Sequence, residues 1–194
     1  MALNTLPPGA FADDAITADK INLANTFAFT GTVTGAAKIG QVVSTHFTTQ
    51  VTSTSATLSD VSGFSANITP TSTNSKVLVN VSICFGGDSA GPSPYINLKR
   101  NGTTIGLGSG ASGSQINVFL AGSILPYVNG HYASLQQSKS FLDSPSSTSA
   151  LTYQIAFASP WQSRSGYINR MGITADAVYN QFPSSAITLM EILA

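Results

Sequence analysis

Gly108, Gly110 and Gly113 have the GxGxxG spacing of a loop that cradles a dinucleotide pyrophosphate. That chemistry needs a parallel strand before the loop and a helix N-terminus after it, so that backbone N–H groups converge on phosphate. Neither context flanks residues 106–114, which read instead as a flexible loop between strands. The two histidines, His46 and His131, lie far apart and share no metal-ligand spacing with the single cysteine, Cys84. Asp13, Asp14 and Asp19 cluster without the ligand pattern of a calcium loop. Serines are numerous, and the sequence is read as carrying no nucleophile elbow among them. The expectation is a chain with no catalytic residues, no cofactor and no metal site. Tyr95, Trp161, Arg164 and Tyr167 form a different set, in which rings stack on a sugar face while guanidinium and amide groups bond its hydroxyls. They are the candidate contacts for a glycan.

Composition limits the partners further. Only 8% of the 194 residues are charged, against about a quarter in an average soluble domain. Ser, Thr, Asn and Gly keep the surface polar, so copies of the chain repel one another weakly and hydrogen bonding stays available for assembly. Eight basic and eight acidic side chains cancel, leaving no field to neutralise phosphates, so no nucleic acid is expected. One cysteine rules out an intrachain disulfide framework. Pro7-Pro8 interrupts a start that has no basic segment, and neither a secretory signal nor a membrane span is expected. The acceptor triplets at Asn67, Asn80 and Asn101 are then chance matches.

These residues are positioned by two regions. Residues 1–40 combine Pro7-Pro8-Gly9, a short helix-compatible stretch at 16–23 and an extended piece in which Phe27, Phe29 and Val33 alternate with small residues. A stretch this short does not fold alone, so the region reads as an attachment arm that lies on a partner through Ile16, Ile21, Phe27 and Phe29. Residues 41–194 read as an all-β sandwich of eight to ten strands. The clearest strand covers 76–85, with Val77, Val79, Val81, Ile83 and Phe85 on the core face. Asn101-Gly102 closes a hairpin between 95–100 and 103–105. Other strands are expected at 41–48, 64–68, 115–121, 132–142 and 151–158.

The last strand, 186–193, is apolar on both faces, with Ile187, Leu189 and Leu193 on one and Thr188, Met190 and Ile192 on the other. One side of a sandwich sheet meets the core, so the second apolar side implies another subunit or a covering loop. Thr188, Met190, Glu191 and Ile192 are the candidate subunit interface. A carboxylate in that setting calls for a partner, and Arg100, Arg164 and Arg170 are the candidates.

Several stretches resemble the C-terminal β-domains of tail-fibre-like and other virion structural proteins of tailed phages, especially cyanobacterial and marine ones. They are Asn67-Ile68-Thr69-Pro70 leading into Ser75-Lys76-Val77-Leu78-Val79, the hairpin 100–105, Ala150-Leu151-Thr152-Tyr153, and Ile187-Thr188-Leu189-Met190-Glu191-Ile192. In the arm, Asp14-Ala15-Ile16-Thr17-Ala18-Asp19-Lys20-Ile21 is similar to segments near the start or along the shaft of phage fibres. The resemblance implies a jelly-roll-like antiparallel β-sandwich that forms a homotrimer in the virion. A short arm feeding a compact trimer suits a capsid-decorating (cement) protein bound to the major capsid protein or another virion protein. The alternative is a short fibre or tail-fibre tip that binds host-surface glycan.

Overall fold

The computed structural model describes residues 39–87, 93–122, 134–160, 164–173, 175–178 and 180–193. The attachment-arm residues Ile16, Ile21, Phe27 and Phe29 lie outside the described residues, as do Trp161 and His131. Eleven strands run through the described part: β1 (Ile39–Phe47), β2 (Val51–Ser53), β3 (Ser59–Ile68), β4 (Lys76–Gly87), β5 (Tyr95–Arg100), β6 (Thr103–Ile105), β7 (Leu120–Ala121), β8 (Ser134–Asp143), β9 (Leu151–Ala158), β10 (Gly166–Ile168) and β11 (Ser185–Ile192). No helix occurs among the described residues.

The strands build two antiparallel sheets that pack as a β-sandwich. In sheet A, β4 pairs with β11 along its first half and with β10 at its end, while β8 lines its other side. β1 and β2 then flank β11 and β10, so the sheet is four strand-lines wide. Sheet B runs β3–β9–β5, with β6 and β7 sharing the far edge of β5. Six of the ten connections between successive strands cross from one sheet to the other, which makes one shared core.

Alternation decides which side chains fill that core. Val77, Val79, Val81, Ile83 and Phe85 of β4 face Leu151, Tyr153, Ile155 and Phe157 of β9, and all are buried. Phe47 and Phe64 stack face to face at 4.5 Å between ring centroids. The 101–102 turn has φ of 48° at Asn101 and 83° at Gly102, the left-handed backbone of a two-residue hairpin turn. Asn101 also holds the neighbouring strand: its Oδ1 accepts from Thr152 N at 2.8 Å.

Four elements differ from expectation, each for a local reason. β3 begins at Ser59 rather than 64, because a bulge around Gly63, at φ 78°, breaks the alternation that marks a strand. Gln154 Nε2 bonds Val61 O and Phe64 O across that irregularity. β7 covers only Leu120–Ala121 because Asn117 Oδ1 and Gln115 Oε1 accept from Ala111 N and Ser112 N, folding 111–117 into a loop. β2 and β10 have three residues each, too few for alternation to reveal.

Candidate functional site

The outer face of sheet A is organised in rows that the strand register brings level. Val42, Met190, Leu78 and Leu142 are consecutive partners across β1, β11, β4 and β8. Beside them Ile39 pairs with Ile192. Ile39, Val42 and Leu142 are 59%, 56% and 48% exposed, so this apolar row is uncovered. The next row is Ser44, Thr188, Asn80 and Ser140, and the one after it His46, Ala186, Ser82 and Ser138. Short bonds knit these polar rows: Ser44 Oγ to Thr188 Oγ1 at 2.8 Å, Ser140 Oγ to Asn80 Oδ1 at 2.6 Å, and Gln136 Nε2 to Ser82 Oγ at 2.7 Å. At the far end, the Arg170–Met171 backbone lies directly on Gly86, where a Cβ has no room. Cys84 beside it is buried, and burial pushes its thiol pKa up.

A bulge in β1 recruits Ile39 to this face. Between Ile39 and Val42 the register slips, three steps on β1 matching two on β11. The extra residue reverses the in–out phase, so Ile39 comes level with outward-facing Ile192 and Gln41 turns inward.

Glu191 does not share the outer face with Thr188, Met190 and Ile192, which corrects its assignment to the interface. It shares the inner face with Leu189 and Ile187, and its side chain is fully covered, though only thinly. Gln41 Nε2 donates to Oε2 at 2.7 Å, and Thr71 N and Oγ1 donate to Oε1 at 2.6 and 2.8 Å. These donors are neutral. Of the expected arginine partners, Arg100 bonds Asp143 instead, and Arg170 Cζ stacks over Tyr167 at 4.1 Å. Burial raises the Glu191 pKa, but bonds from Gln41 and Thr71, with the Ser75 hydroxyl nearby, outweigh it and hold the carboxyl at about 2. The buried Ser75 Oγ has no hydrogen bond within bonding geometry, so its influence is that of a nearby dipole.

Because the folded pKa lies below the ordinary 4.5, the unfolded chain takes up this proton first. The stabilisation is complete above about pH 4.5 and is lost as pH falls towards 2. It amounts to about 1–2 kcal/mol, because water screens the thinly covered group. Urea midpoints of the wild type should therefore fall between pH 5 and 2.5 more steeply than those of Glu191→Gln. Parallel slopes would show that the carboxylate contributes nothing.

A second buried acid sits two strands away in the same cross-sheet row. Asp143 and Glu191 both pair with Val77, from opposite sides. Asp143 Oδ2 accepts from Arg100 at 2.7 Å and from the Tyr153 hydroxyl at 2.6 Å, joining β8 to β5 and β9 of the other sheet. Burial, then the Asp143 bond and charge, push the Tyr153 pKa up strongly, so the phenol stays protonated. This cluster is a clamp between the layers: Asp143 Oδ2 accepts from both Arg100 and Tyr153.

Of the glycan set, the described rings Tyr95 and Tyr167 do not converge. Tyr95 alternates with core residues Ile96 and Leu98 and so lies on the outer side of sheet B, 8% exposed. Tyr167 alternates with Ile168 on the outer side of sheet A, 6% exposed and capped by Arg170. Two rings on opposite faces do not stack on one sugar. Arg164 is exposed near Tyr167, and its carbonyl accepts from Ser159 Oγ at 3.1 Å. Gly108, Gly110 and Gly113 lie in the loop between β6 and β7, followed by strand rather than helix. Gly87-Asp88-Ser89-Ala90-Gly91 does fit GxSxG, contrary to the reading that no such spacing occurs. Residues 88–92 lie outside the described residues, and the next element after β4 is strand β5, not the helix of a nucleophile elbow. Among the described residues, no three His, Cys, Asp or Glu side chains gather to hold a metal, and no helix is long and apolar enough to cross a membrane. Compared with known proteins, the chain matches no family model and no curated sequence.

Proposed function

We propose that this chain is a structural protein of a tailed-phage virion, a homotrimeric capsid-decorating subunit that grips the head through its N-terminal arm. The observation that carries the reading is the outer face of sheet A, where an uncovered apolar row crosses all four strand-lines beside two polar rows that hold no acid, lysine or arginine. Four lines at ~4.8 Å and eight residues at ~3.4 Å make a face of roughly 500 Å² in projection. Side-chain relief brings its accessible area towards the ~800 Å² per partner of a stable interface. The strand-lines β1/β2, β11/β10, β4, β8 opposite β3, β9, β5, β6/β7 support a jelly roll, since two interlocked Greek keys produce that order. The separation of Tyr95 from Tyr167 leaves the glycan-binding fibre tip with less support.

Sedimentation equilibrium at micromolar concentration should give three times the 20.0 kDa chain mass. Deleting residues 1–35 should keep that mass and abolish binding to phage particles. A monomer in the first measurement overturns the assembly reading, and full occupancy of particles in the second overturns the role of the arm.

A further inference from the structure

We infer that the copies are related by a rotation axis parallel to the strands of sheet A, so that Leu142 of one protomer meets Val42 of the next. This rests on reading that face as the self-association surface, and adds the symmetry and the touching pairs.

The argument is geometric. Val42 is on β1 and Leu142 on β8, the two edges of the sheet, and the register sets them at one level with Met190 and Leu78 between. Rotation about an axis parallel to the strands preserves level. Each row of one protomer is then continued by the same row of its neighbour: Leu142 to Val42, Ser140 to Ser44, Ser138 to His46. The apolar row closes into a dry ring, and the hydroxyl and amide rows close into polar ones. Strand twist tilts all rows alike and leaves the match intact.

The competing arrangement fails on the same rows. A twofold perpendicular to the strands inverts level, so full overlap of two faces lays each apolar row on the partner's polar end. Apolar meets apolar only if the faces slide until little more than the row itself overlaps, far short of the area a stable pair needs. Polarity along the strand selects the parallel axis, because the apolar row lies at one end of the face and not at its middle. Sheet direction agrees: β1 and β8 run antiparallel across the sheet, so under this rotation the facing edges of neighbours are antiparallel too.

Cysteine pairing tests this. Within one chain, Val42 and Leu142 are three strand spacings apart, roughly 14 Å, beyond the reach of a disulfide. Under mild oxidation the double variant Val42→Cys/Leu142→Cys should give covalent multimers up to the size of the whole assembly. Val42→Cys alone, Leu142→Cys alone and the wild type with buried Cys84 should stay single chains. An oligomer of unchanged mass whose double variant does not cross-link, or whose Leu142→Cys links to itself, overturns the parallel axis while leaving self-association standing. A wild type that sediments as a monomer overturns both.

Discussion

Met190→Glu is expected to turn the wild-type assembly into single 20.0 kDa chains at micromolar concentration. Met190 is half-buried at the centre of the apolar row, between Val42 and Leu78. A carboxylate there costs little in an isolated chain, where it reaches water, and several kcal/mol when the row is closed against neighbours. The association constant should drop at least a thousandfold, since each 1.4 kcal/mol is a factor of ten. The urea midpoint of the fold itself should shift by less than ~0.5 kcal/mol equivalent, as for other surface substitutions. Thr104→Glu is the matched control: it lies on β6, opposite Lys99, on the outer side of sheet B. An assembly that withstands Met190→Glu and dissociates with Thr104→Glu would assign the interface to the wrong sheet.

The largest loss of fold stability should come from Asp143→Ala, about 3–5 kcal/mol, read as a fall of roughly 2 M in the urea midpoint. Removing the carboxylate leaves the Arg100 guanidinium and the fully buried Tyr153 hydroxyl without their acceptor. The size of the loss comes from those stranded donors more than from any net strength of the pair. Asp143→Leu combined with Arg100→Met should therefore lose less than Asp143→Ala alone, because no charge remains unpaired. A double variant that is the less stable of the two would show that the clamp itself, and not the unpaired charge, carries the energy.

The bounds of β5, β6 and β9, and the start of β4, were legible because apolar side chains recur at every second position of β4, β5 and β9 and turn residues bound the strands, whereas β4 runs two residues past the expected end at 85. Period-two patterning is local: it needs only the chain's own geometry and a core on one side. Where a bulge intervenes, as at Gly63 in β3, the pattern changes phase and local reading fails. Glutamate shows the same limit from another side. Its position beside Leu189 predicted a need for a partner, but the neutral donors Gln41 and Thr71 lie 150 and 120 residues away in sequence, and nothing local distinguishes them from an arginine.

Sequence alone determined that this protein is an all-β sandwich with little charge and a final strand apolar on both sides. Residue order and composition suffice for that, because alternation and net charge are properties of the chain itself. Only the tertiary structure decided that Val42, Leu78 and Leu142 stand level with Met190, that Ile39 joins their face through a one-residue bulge, and that Glu191 turns away from it. Those facts belong to the pairing register between strands far apart in sequence. A shift of one residue in any pair would send the row to the other side of the sheet.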